Sequence, residues 1–243
     1  MMKVQKSKDI PADGDLVEGV QQANNRFNQC KTQNSSVLDA YCDMTMCILA
    51  GIESKEKAAE LEKLGWHYLE TGEIMSAFSI FHRLIRREDA PPSVFDGLAT
   101  FYERYNHPES ALSCCRKLEL CLKNNGQDEE LPALYERIKN NYRHLSEKAI
   151  NYENTGNFRF AFNSYRWMIE ENPTDMEAFA GYLRNSIPSG KPGEPYKNIN
   201  QESEYKRVIL SDDNLAMMYA NLVKFIEENP EYLESNEIDS FAG

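Results

Sequence analysis

The sequence predicts an all-α fold of stacked helical hairpins, with a helix before the stack and a capping helix after it. Two observations carry this reading. A spaced set of packing residues, Leu61, Leu64, Gly65, Tyr68, Ala77, Phe81 and Leu84, returns 34 residues later as Phe95, Leu98, Ala99, Tyr102, Ala111, Cys115 and Leu118. After a slip of sixteen residues it returns again as Leu145, Ala149, Tyr152, Ala161, Tyr165 and Met168. A fixed period of this length marks a unit that buries its apolar face only against its neighbours. The second observation is punctuation: Gly72, Asn106 and Gly156 fall where each hairpin must turn, and Pro91, Pro92 and Pro173 fall where each unit must end.

Along the chain, residues 1–34 are rich in Gln, Asn, Lys, Asp and Gly and are expected to be a disordered tail. Residues 35–57 hold an amino-terminal helix, capped by Ser35 or Ser36, with Val37, Tyr41, Met44, Ile48 and Leu49 on one stripe. The stack spans 58–186, with repeats at about 58–91, 92–125 and 142–175 and a partial fourth at 176–186. Gly65 and Ala77 are expected at the closest approach within the first hairpin, where side chains must be short. Residues 126–141 form a helical extension. Leu131, Leu134, Tyr135, Ile138, Tyr142, Leu145, Ala149 and Tyr152 keep one stripe through it, so the helix runs either unbroken to Asn154 or with a break at Asn140-Asn141. Residues 187–211 read as a Pro/Gly loop. Residues 212–243 read as a capping helix, with Leu215, Met218, Tyr219, Leu222 and Ile226 on one face, and an acidic tail.

The residues at 58–186 resemble the tetratricopeptide repeat, whose unit is two antiparallel helices stacked on the next pair. The resemblance implies a right-handed solenoid whose concave face, lined by the first helix of each pair, holds an extended peptide or a helix of another protein. Carried onto this chain, that face comprises Glu62, Lys63, Trp66, Leu69 and Glu70 from the first repeat. The second supplies Asp96, Gly97, Thr100, Glu103 and Arg104, and the third Arg143, Ser146, Glu147, Ile150 and Glu153. The contacts expected to carry binding are Glu62, Trp66, Leu69, Glu70, Asp96, Thr100, Glu103, Arg104, Arg143 and Ile150. The heat-shock-tail clamp of one subgroup is not implied, because Glu62, Trp66, Gly97, Arg143 and Ser146 stand at its positions. The stretch from Ile52 to Leu118, with Leu64-Gly65-Trp66-His67-Tyr68-Leu69-Glu70-Thr71-Gly72, is also similar to class II chaperones of type III secretion. That likeness implies a cytoplasmic chaperone for an export cargo.

Charge narrows the partner. A formal net charge of −12 repels phosphate backbones and anionic lipid, so nucleic acid and membrane insertion are not expected and a basic or apolar polypeptide is. Trp66 is the large aromatic of the concave face, and tryptophan is over-represented among binding hot spots. The amino-terminal stretch lacks the apolar centre of a signal peptide, so cytoplasmic retention is expected.

No catalytic chemistry is legible. The six cysteines form no CxxC pair, and Cys114 and Cys115 fall on a packing stripe. His144 and Glu147 share i,i+3 spacing, but a bimetal constellation on helices needs a second such pair, which the chain does not have. No GxSxG, HExxH or phosphate-cradling Gly-rich loop is present. The expected protein is a non-catalytic interaction scaffold or chaperone-like adaptor without metal or cofactor. Its oligomeric state is open, and an enzyme subunit or a structural assembly component is the rival reading.

Overall fold

The computed structural model describes residues 16–33, 48 and 55–234. Among them every regular element is helical: twelve α-helices and one 3-10 turn, with successive helices packed in adjacent pairs. No helix among the described residues is long and apolar enough to cross a membrane. The chain divides into two compact units, Met1–Arg137 and Ile138–Gly243.

In the first unit, α1 (Leu16–Gln33) packs on α2 (Lys55–Thr71). α2 turns at Gly72 into α3 (Ile74–Leu84), and α4 (Pro92–Arg104) turns at Asn106 into α5 (Pro108–Asn125). α2 buries Ala58, Leu61, Leu64, Gly65, Tyr68 and Leu69, the spacing of one helical face. Pro92 and Pro108 stand at the starts of their helices, where a missing N–H goes unmissed. Asn106 adopts φ 57°, and the His107 N–H donates to the Tyr102 carbonyl at 2.9 Å, closing the helix end. Gly156 and Asn157 repeat that turn in the second unit, with φ 74° and an Asn157 to Tyr152 bond of 2.8 Å.

The hairpins are held at close range by an aromatic ring seated where the neighbouring helix has no side chain. Phe81 of α3 is fully buried, and a β-carbon at Gly97 of α4 would lie 2.6 Å from its ring. Gly65 of α2 meets the same ring at 3.0 Å. Ala77 is fully buried, and a β-carbon at Gly65 would meet Phe81 and Ile80 of the same hairpin. In the second unit Tyr165 meets Gly181 in the same way, at 2.5 Å.

The helix α6 (Leu131–Asn154) follows a 3-10 turn at Asp128–Glu130 and is unbroken through Asn140-Asn141. At 24 residues it is about 36 Å long. Its buried stripe is Leu131, Leu134, Ile138, Asn141, Leu145 and Ala149. α7 (Phe158–Glu171) and α8 (Met176–Ser186) form the next pair. Asp175 caps α8, its carboxylate accepting the Ala178 N–H at 2.9 Å. Phe162 and Tyr182 stack at 4.7 Å in this core.

Two segments differ from the sequence reading. The expected disordered tail at 1–34 contains α1, which buries Val20, Ala23 and Asn24. Its apolar positions are few, and composition alone hid them. Asn24 adds directional bonds: its amide donates to Glu73, and it accepts the Ser76 hydroxyl at 2.5 Å. The expected loop at 187–211 contains α9 (Gly193–Gln201) and α10 (Ser203–Leu210). Pro192 stands before α9 and Pro195 in its first turn, where proline does not interrupt the hydrogen-bond ladder. Ile199, Val208 and Ile209 anchor the two helices by burial.

α11 (Asp213–Glu228) is capped by Asp212, packs on α8 and buries Leu215, Leu222 and Ile226. The short α12 (Glu231–Glu234) lies against α9, where Gly193 leaves room for the Tyr232 carbonyl. Most of the expected helix at 35–57 lies outside the described residues; Ile48 is helical and buried, and α2 begins at Lys55. The acidic tail after residue 234 also lies outside them.

The ring-to-glycine contacts predict that Gly97→Ala and Gly181→Ala each destabilise the fold by about 1–3 kcal/mol, because overpacking outweighs the better helix propensity of alanine. Phe81→Leu added to Gly97→Ala should recover part of the loss in chemical denaturation. Two variants with unchanged unfolding midpoints would show the rings move aside freely.

Candidate protein-interaction face

The expected face begins on α2, where Glu62, Trp66 and Glu70 recur every four residues and so share one side of the helix. Trp66 is half-buried, and its ring stands edge-on to Phe81, with centroids 5.6 Å apart and planes at 69°. Such a pair contributes about 0.5–1.5 kcal/mol beyond its area and holds the indole in one orientation. Glu62 is half-buried and accepts the Ser93 hydroxyl of α4, while Glu70 is exposed. Leu69 does not belong to the face. It is 1% exposed, so its side chain is core, and only its carbonyl is engaged, by Arg104 at 2.6 Å.

The α4 row is also not free. Arg137 of α6 donates through its Nε to Glu103 at 2.7 Å, and through one terminal nitrogen to Glu103 at 2.9 Å and Thr100 at 2.8 Å. Its other terminal nitrogen pairs with Asp96. Three residues expected to meet a basic ligand are thus occupied by the chain's own guanidinium. Burial works against the Arg137 charge, but the bonds from Glu103 and Asp96 outweigh it and hold its pKa above the ordinary arginine value. Arg104, expected as a partner contact, donates to the Leu69 carbonyl in the last turn of α2, where a cation is favoured by the helix dipole.

On α6 in the second unit, Arg143 is exposed beside Glu147 at 4.0 Å, and Ile150 is 43% exposed. Glu153 is taken: Arg184 of α8 donates to both its oxygens, and Tyr165 donates to it at 2.9 Å. The Arg184 bond holds the Glu153 carboxyl below the usual carboxylate range, against the effect of partial burial. Tyr142 makes a matching bond from α6 to Asp175 at the head of α8, at 2.5 Å.

The sequence reading missed Arg137, although it stands 34 residues after Glu103, one repeat period. The register slip had assigned it to an extension. It also left Phe160 and Trp167 unassigned. They lie seven residues apart on α7, 59% and 38% exposed, and Tyr152 sits 5.3 Å from Phe160. Aromatic spacing outside the repeat positions was the available signal.

The buried thiols of Cys114 and Cys115 are pushed up to about 11 and about 12, chiefly by burial. Thiolate is scarce at such values, which makes both poor nucleophiles. Among the described residues no group of three or more His, Cys, Asp and Glu side chains is arranged to hold a metal ion. No family model matches the chain, and no curated protein matches it.

Removing Arg137 leaves Asp96 and Glu103 close together without their shared cation. Arg137→Gln should lower the unfolding free energy by about 1–3 kcal/mol, and Glu103→Gln added to it should restore part. A neutral Arg137→Gln would mean the cluster adds nothing to stability. The depressed Glu153 contributes stability that is complete above the ordinary glutamate pKa, near ~4.3, and is lost as pH falls below it through the folded value. Melting curves of Arg184→Gln should therefore fall less steeply than wild type between about pH 5 and about pH 3; parallel curves would refute the coupling.

Proposed function

We propose that the chain is a tetratricopeptide-type solenoid that binds a segment of a partner polypeptide without catalysis, using the α2 face of Glu62, Trp66 and Glu70. The adjacent packing of helix pairs supports the repeat assignment. So do the side chains that tie one first helix to the next at separations near the repeat period: Ser93 to Glu62, Arg104 to Leu69 and Arg137 to Glu103, then Tyr142 to Asp175 and Arg184 to Glu153.

The carrying observation is Trp66, braced on Phe81 and flanked by a carboxylate one turn to either side. A lysine or arginine over such an indole gains a cation–π contact, and the neighbouring carboxylates meet its charge. The basic or apolar segment expected for an acidic chain fits this place better than the α4 row, whose acids already hold Arg137. Exposed Phe160, Trp167 and Ile150 add apolar contact surface in the second unit. A secretion-type chaperone is the form of this reading in which the captured segment belongs to an export cargo.

Burying the open part of an indole contributes on the order of 2 kcal/mol, so Trp66→Ala should weaken partner retention tenfold or more. The test uses tagged wild-type and variant protein as bait in the producing cell, with quantitative mass spectrometry of what each retains and circular dichroism to verify equal helix content. A partner set unchanged by Trp66→Ala and by Glu62→Gln/Glu70→Gln would overturn the assignment.

A further inference from the structure

We infer that α3 carries a second docking surface, of the opposite charge preference, in which Arg83, Arg86, His82 and Met75 receive an acidic segment of a partner protein. In a chain of net charge −12, α3 (Ile74–Leu84) contains no acidic residue, while His82 and Arg83 lie in its last turn. Arg86 follows directly after the C-cap Ile85. The acid that could neutralise them is already held: Asp89 accepts two bonds from Arg87 at 2.8 and 3.0 Å and meets Lys55 at 3.3 Å. Glu88 is exposed, and among the described residues no carboxylate forms an ion pair with Arg83 or Arg86. A helix C-terminus favours cations, which accounts for tolerance of the two in the last turn but not for a third beyond it.

The surroundings of His82 agree. Its ring lies 5.3 Å from Phe78, which in turn stacks on Phe101 and meets the edge of Tyr102 from α4. Burial, then Arg86 and Arg83, lower its pKa, and no carboxylate opposes them. Among the described residues the positive charge at this place therefore has no carboxylate paired with it.

The shape of the surface selects a polypeptide over a small anion. Met75, Ser79, His82, Arg83 and Arg86 fall on one stripe by helical spacing, about 16 Å long at 1.5 Å per residue. Met75 is 56% exposed at the end away from the arginines. A lone oxyanion would leave that methionine in water; a segment with carboxylates and one apolar side chain covers both ends. The Debye length at physiological salt is about 8 Å, so the charge of the rest of the chain is screened while the local pairs are not.

The chain's four histidines allow a direct test. The imidazole signals of His67, His82, His107 and His144 are followed by NMR while an eight-residue glutamate-rich peptide carrying two leucines is added. Saturable movement of His82, with His67, His107 and His144 unmoved, is the expected result. Arg83→Gln/Arg86→Gln should weaken binding about fivefold or more, whereas Lys117→Gln on exposed α5 surface should leave it unchanged. No movement at His82, an equal response to inorganic phosphate or to a short oligonucleotide at the same concentration, or indifference to the double substitution would each overturn the inference. The α2 reading is tested separately, by partner retention in Trp66→Ala, so its failure leaves the His82 result untouched.

Discussion

The structure depends on an aromatic ring entering space that a neighbouring helix leaves empty. Phe81 sits against Gly65 of its own hairpin and Gly97 of the next, and Tyr165 sits against Gly181. A ring in such a site brings two backbones nearer than ordinary side chains would allow, and interiors packed at crystal-like density have little slack to absorb a change. Close approach then lets polar side chains bridge neighbouring helices. Ser93 reaches Glu62 and Tyr142 reaches Asp175 because the helices that carry them are already close. Apolar packing sets the spacing, and polar bonds fix the register within it.

Electrostatics follows the same order. Some of the acids that the composition advertises are held by the chain's own arginines. Arg137 draws together Asp96, Thr100 and Glu103, and Arg184 holds Glu153. What remains unneutralised is more informative than the net charge. On α2 the remainder is negative and surrounds an aromatic; at the carboxyl end of α3 it is positive, with a methionine exposed at the helix's other end. A single chain can thus present two local preferences that its isoelectric point does not reveal.

The repeated packing positions were legible because they obey a period, and burial acts on each in the same way in every unit. Ala77, Ala111 and Ala161 are all fully buried, as are Phe81 and Cys115. The candidate face was less legible. Leu69 was placed outward by its register, yet α2 turns it into the core beside Tyr68. Asp96 and Glu103 read as free acids because their counter-ion lies on a helix whose alignment with the repeats was displaced by the slip. Prolines at 192 and 195 suggested a loop, although the start of a helix tolerates them equally well. Helix α1 escaped composition because an amide does part of the work that apolar side chains do elsewhere.

That last feature has a bearing on how the molecule comes apart. A helix fastened through Asn24, Glu73 and Ser76 gains a defined orientation from directional bonds. Among its described side chains, the apolar ones it buries, Val20 and Ala23, are modest in size. Water can substitute for each of these bonds once it is broken. Breaking them would loosen the orientation of α1 without touching the contacts of Phe81 with Gly65 and Gly97, in which α1 has no part.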